Sequence, residues 1–298
     1  MTKTTNVIVF ICVWFAVSCH ATDPASQFIL IGSTPGDSTI KSALSIPHKT
    51  QVDFIKWRLE LRERQTFLMN IHYGESQPNT LGFLGDGERL TVQGTYSVVE
   101  GQSPNEFREV YQFNSNNLAD NLIMVKVTEN LFHFLDGQNH LMVGNGGWSY
   151  MLSREDPIEN TSLLISSAVS DESTPLVFVG RTPCQEFALE HPEMNVSPAC
   201  FKLKWKLVLN RDPLTNLPST CVMRKIVDNQ PREVTGRWTI LRGAISDPES
   251  IIYQIDFDEP GESISLLAGD DNILFFLDKN DKPFVGNQDF SFVLNRDL

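Results

Sequence analysis

The chain is poor in basic residues, in histidine and in cysteine. Its 298 residues hold 24 Lys and Arg against 37 Asp and Glu, for a net charge of -13, with 6 His and 5 Cys. A nucleic-acid binder needs a basic surface, so that class is excluded. The charge gives no attraction to an anionic membrane either. There is no Gly-x-Ser-x-Gly elbow, no His-Glu-x-x-His pair and no phosphate loop. No catalytic residue is therefore expected, and the chain reads as a non-enzyme. Gly144-Asn145-Gly146-Gly147 lies between two strand-like runs and reads as a hairpin turn, not a nucleotide cradle. Beyond residue 17 no apolar run is long enough to span a bilayer. Long amphipathic helices are missing too; only residues 38–45 and the region of 185–189 read as short helices.

At the N-terminus, Lys3 precedes an uncharged apolar run from Val7 to Val17, which ends at Ala16-Val17-Ser18-Cys19. This resembles the lipobox of bacterial lipoproteins, in which the Cys is lipidated and becomes the new N-terminus. The resemblance implies a signal peptide over 1–18, lipidation at Cys19, a polar tether over 19–27 and membrane attachment through the lipid. His20 follows the Cys where an Asp would favour inner-membrane retention, so the expected location is the outer membrane of the cell envelope. An ordinary signal peptide cut near Ala21 is the alternative, and it also exports the chain.

The body of the chain is written twice. Gly94–Arg154 and Gly236–Arg296 align without a gap at an offset of 142, with 14 identities in 61 residues. Phe134-Leu135-Asp136 recurs as Phe276-Leu277-Asp278, and Val143-Gly144-Asn145 as Val285-Gly286-Asn287. Upstream, Gly32-Ser33-Thr34-Pro35 matches Gly180-Arg181-Thr182-Pro183, and Trp57 matches Trp205, at an offset of 148. The second copy is thus six residues shorter between about 210 and 235, where a loop is expected. A period this long means a duplicated domain rather than a solenoid. The copies span 28–155 and 176–298, and the Ser- and acid-rich 156–175 reads as a linker.

Within each copy the period is two. Trp57, Leu59 and Leu61 alternate with charged residues, as do Trp205, Leu207 and Leu209. About seven or eight short strands per copy predict an all-β fold of two tandem antiparallel barrels, because closure removes exposed edges. The recurrence of Asp136/Asp278 and Arg154/Arg296 reads as turn capping or a strand-end ion pair. Residues 278–281 are calcium-like, but a twelve-residue loop with a terminal Glu is missing.

The order Gly180-Arg181-Thr182-Pro183-Cys184, Gly236-Arg237-Trp238, Tyr253 and Leu277-Asp278 resembles the NlpE-like (copper resistance, outer-membrane lipoprotein) N-terminal domain family. Copy one keeps Gly32 to Pro35, Gly94-Thr95-Tyr96, Tyr111 and Leu135-Asp136, with Gly36 in place of the Cys. The resemblance covers nearly all of both copies. It implies small lipocalin-like barrels on an envelope lipoprotein, with a role in envelope sensing, stress response or copper tolerance, and an envelope protein partner. The family's Cys-x-x-Cys opening is missing here, which puts copper in doubt.

Three cysteines remain, all in copy two. In an oxidising compartment two should pair. Cys184–Cys200 is the first choice and Cys200–Cys221 the rival, with the odd thiol a small buried hydrophobe. Cys184, His191, Met194 and Cys200 form a loose copper-candidate cluster of no known metal spacing. No other cofactor is expected. His133 stands where copy two has Phe275, so a half-buried strand face is expected; His72 and His140 read as solvated. The functional expectation is a non-enzymatic envelope lipoprotein, with a carrier of a small apolar ligand as the alternative. Any specialised chemistry is expected in copy two, where the cysteines are.

Overall fold

The computed structural model describes residues 27–298 except 102–106, 108, 160, 166–168, 170–174, 193–195, 228–229, 245–246 and 259–262. The signal segment and Cys19 lie outside the described residues, as does Met194.

Alternating strands close into two eight-stranded antiparallel barrels. The first is built of β1 (Phe28–Pro35), β2 (Phe54–Arg62), β3 (Thr66–Gly74), β4 (Glu88–Glu100), β5 (Glu109–Asn114), β6 (Leu122–Thr128), β7 (Leu131–Leu135) and β8 (Met151–Arg154). The second is built of β9 (Leu176–Thr182), β10 (Leu203–Arg211), β11 (Pro218–Val227), β12 (Gln230–Ala244), β13 (Asp247–Phe257), β14 (Ser263–Ala268), β15 (Ile273–Leu277) and β16 (Val293–Arg296). Each barrel closes by pairing its last strand with its first, through Ile31 with Ser153 and Val179 with Asn295.

Gly32 and Gly180 explain half of the repeated Gly-x-Thr-Pro. A Cβ on Gly32 would stand 2.8 Å from the Met151 carbonyl oxygen, and one on Gly180 would stand 2.5 Å from that of Val293. The bare backbone lets the closing strand approach. The threonine explains the other half. Trp57 Nε1 donates to Thr34 Oγ1 at 2.8 Å, and Trp205 Nε1 donates to Thr182 Oγ1 at the same distance. A buried indole thereby keeps its partner in both barrels.

The interiors are filled. Trp57, Phe67, Phe113, Phe132, Phe134 and Tyr150 are fully buried in the first, and Phe178, Phe187, Trp238, Tyr253 and Phe276 in the second. One end of each barrel is plugged by a short helix, α1 (Ser38–Ala43) or α2 (Cys184–Glu190). Asp37 caps α1 by accepting from the Ile40 N–H at 2.9 Å, and Ile40, Ala43 and Leu44 turn into the barrel.

The length difference between the copies is two changes, not one. Leu61 pairs with Phe67 but Leu209 pairs with Cys221, so the β10–β11 hairpin is six residues longer than its counterpart. Tyr73 pairs with Glu88 but Val227 pairs with Gln230, so the next connection is twelve residues shorter. Only the net six was visible in the alignment. The long copy-one connection carries Phe83, which stacks on Phe54 at 4.3 Å.

The two barrels pack side by side through a shared apolar layer. Val125, Leu131, Leu135 and Met151 of one meet Leu267, Ile273, Phe275 and Val293 of the other. Some of the polar contacts across this seam come in matched pairs. Gly144 N–H donates to Asn295 Oδ1 at 2.7 Å, and its repeat equivalent Gly286 donates to Ser153 Oγ, the equivalent of Asn295, at 3.1 Å. His133 and Phe275, also equivalent, meet edge to face at 6.2 Å. Trp148 stacks on Phe54 of its own barrel at 4.7 Å, and Arg181 of the other barrel lies over its ring. Lys56 pairs with Asp289 at 2.6 Å.

The first part of the linker is structural. Leu163 and Ile165 are buried in the same seam, and Leu164 N–H donates to the Val127 carbonyl. Its polar composition concealed a segment that docks.

Candidate functional site

The end of barrel one opposite α1 is a mouth. Phe28, Tyr96, Val98, Tyr111, Lys126 and Arg154 line a cavity of about 270 Å³, with Gln65, Glu129 and Ile158 on its rim. Strand alternation brings them together. Leu152 faces inward, so Arg154, two residues on, does too; Met124 places Lys126 in the same way. Lys126 Nζ lies 3.1 and 3.2 Å from the two Glu109 carboxylate oxygens. Glu109 also accepts from the Tyr111 hydroxyl at 3.2 Å. Burial, reinforced by Glu109, pushes the Tyr111 phenol well up, so it remains a donor at neutral pH.

Arg154 differs. Its guanidinium lies over the Phe28 ring at 4.9 Å, and its Nε is buried without an acceptor. Among the described residues no carboxylate pairs with it. The recurrent Asp136/Asp278 and Arg154/Arg296 therefore have separate tasks. Each Asp caps its own turn: Asp136 accepts from the Gln138 and His140 N–H groups, and Asp278 from those of Asn280 and Lys282. The expected strand-end ion pair is not formed at Arg154, because the Asp stands at the far end of the strand.

Barrel two keeps the arginine, as Arg296 over the Phe178 ring, but not the Lys–Glu pair. Its positions matching Lys126 and Glu109 are Ala268 and Ile251. The Lys126–Glu109 pair is thus particular to copy one. A sequence signal existed: Lys126 interrupts the apolar run of β6, and the second copy has no charge there.

The expected sites of copy two sit elsewhere. Cys184 and Cys200 form a disulfide with a Cα separation of 5.8 Å. That takes both sulfurs out of thiolate form, so the loose copper cluster loses its two soft anionic ligands in the oxidised chain. His191 stacks on Phe187 at 4.2 Å. Among the described residues no three His, Cys, Asp or Glu side chains converge to hold a metal ion. Cys221 is a buried free thiol, pushed up to about 11 mainly by burial, which makes it inert.

His133 is fully buried rather than half-buried, because the second barrel covers its strand face. Its Nε2 lies 3.1 Å from the Met142 carbonyl oxygen, which only accepts, so Nε2 carries the proton and Nδ1 is left unpaired. His72 is packed on Phe83 at 4.3 Å, not simply solvated. A second cleft, of about 570 Å³, opens at the seam between Asp37, Asp136, His140, Asp270 and Asp271. Its carboxylates are largely engaged in local structure: Asp37 caps α1 and accepts from the Tyr150 hydroxyl, and Asp270 accepts from the Asn272 N–H.

No family model matches the chain, and neither a curated protein nor a solved structure is similar enough to show kinship.

Proposed function

We propose that the chain is an exported, non-enzymatic envelope lipoprotein, NlpE-like in kind, that serves in sensing or protein interaction. The observation that carries this reading is the pair of aromatic-filled barrels held face to face through matched residues. The alternative, a carrier of a small apolar ligand, needs an open chamber inside the barrel; these interiors are filled by packed side chains. Two such barrels present a double set of loops on one chain, with the lipidated Cys19 and the tether holding it at the membrane. No role for copper is proposed.

Mass spectrometry of the mature chain from a membrane fraction tests the anchoring. An acylated Cys19 at the N-terminus is expected, and an unmodified chain beginning near Ala21 overturns it. Native mass spectrometry tests the choice between module and carrier. The protein should emerge without a stoichiometric lipid, and a retained acyl chain would favour the carrier.

A further inference from the structure

We infer that the open mouth of barrel one binds a small carboxylate-bearing molecule with an aromatic or short apolar body. This goes beyond the interaction role above and does not depend on it.

Arg154 carries the recognition. It points into the mouth at the end of β8, lines the cavity, and has no ion-pair partner among the described residues. The Phe28 ring covers one face of its guanidinium, and its Nε is enclosed, so contact with a ligand falls to the Nη groups. A guanidinium stacked in this way presents its donors in one plane, which suits a planar two-oxygen anion such as a carboxylate. Lys126 does not compete for the same ligand, because Glu109 already neutralises it. Their pairing, with the Tyr111 hydroxyl, stiffens one wall of the mouth.

The remaining lining sets the body of the ligand. Tyr96 and Tyr111 lie 5.8 Å apart at an interplanar angle of 25°, a stacked aromatic pair in the lining. Phe132, against both Phe28 and Tyr111, closes the floor, so an acyl chain cannot pass into the barrel. A volume of about 270 Å³ is small for a ligand pocket. Glu129 stands on the rim, with one carboxylate oxygen accepting from the Ser162 N–H at 2.7 Å. Its charge disfavours a second anionic group on the ligand.

The test is titration of the whole chain with 3-phenylpropionate and with 3-phenylpropanol, followed by calorimetry and by NMR shifts of the tyrosines. The acid should bind about tenfold or more tightly than the alcohol, the size of one charge-assisted hydrogen bond. Arg154→Met should remove that preference while leaving the alcohol's affinity unchanged, and Arg154→Lys should retain part of it. Circular dichroism melts show whether each variant is folded. The acid-to-alcohol comparison on the unaltered chain needs no variant at all. Equal affinity for acid and alcohol, no saturable binding of either, or a preference that survives Arg154→Met would overturn the inference.

Discussion

Ser149 and Ser291 face each other across the seam with their hydroxyl oxygens 2.5 Å apart, and their sequence separation of 142 is the repeat offset. Each therefore meets its own counterpart. This is the geometry of a two-fold dimer interface, in which one patch is complementary to itself, here joined into one chain. The repeated Val-Gly-Asn passages belong to it. Gly144 and Gly286 each donate their N–H to the other barrel, and Asn145 and Asn287 each fold their turn by accepting from the N–H groups two and three residues on.

A double-mutant cycle at this pair should show coupling. Ser149→Ala or Ser291→Ala leaves one hydroxyl without its partner in a largely buried site, at a cost of about 1 kcal/mol each. The double variant should cost clearly less than the two added together, because neither orphan remains. Chemical denaturation of the four proteins measures this. Strict additivity would mean that the contact contributes nothing.

His133 should make the chain acid-sensitive. Burial holds its imidazole down to about 3 in the folded state, against an ordinary value of 6.5. Between these values the unfolded chain takes up a proton that the folded one refuses. Stability is then lost as pH falls from about 6.5 towards 3, at up to about 1.4 kcal/mol per unit from this residue. The paired positions of the seam suggest the control. His133→Phe installs the residue that copy two carries, and it removes the unpaired Nδ1 together with the titration. The variant should stay folded at pH 7, and its stability should fall less steeply between pH 6.5 and 4. An unchanged slope would assign the acid response to other groups.

The alternation of Trp57, Leu59 and Leu61, and the exact spacing of the duplicated passages, made the strands, the duplication and the barrel class legible in sequence. The seam was not. Leu131, His133 and Leu135 read as an ordinary strand face, and only the second barrel's position buries them completely. The mouth was hidden for a similar reason. Lys126, Glu109 and Arg154 come from three strands, and nothing in their local spacing says that the same end of the barrel unites them. The Cys184–Cys200 pair was legible because their short separation lets a bond close one loop, and only Cys221 competes in the same copy.

The indole-to-threonine bond should be worth a similar amount in each barrel. Thr34→Val and Thr182→Val preserve shape but leave the buried Nε1 of Trp57 or Trp205 without an acceptor. Each should cost about 1–3 kcal/mol, and the two should add, because they lie in different cores. Thermal melts followed by tryptophan fluorescence would also report the change locally. A neutral Thr34→Val would show that water replaces the hydroxyl.

Copy one replaces the disulfide with packing, and this can be transplanted. The positions matching Cys184 and Cys200 are Gly36 and Val52, and a Cβ placed on Gly36 would stand 2.3 Å from Val52 Cγ1. The two copies therefore use one site in two ways, as a covalent closure or as a glycine covered by a valine. Cys184→Ser with Cys200→Ser should destabilise the second barrel by about 3 kcal/mol, from the lost loop closure, and should leave two hydroxyls in a tight apolar setting. Cys184→Gly with Cys200→Val should lose less, because the valine fills the space as it does in copy one. Differential scanning calorimetry of the three proteins decides this. If the Gly/Val pair melts no higher than the Ser/Ser pair, the equivalence is one of position only, and the rest of the 184–200 loop depends on the covalent bond.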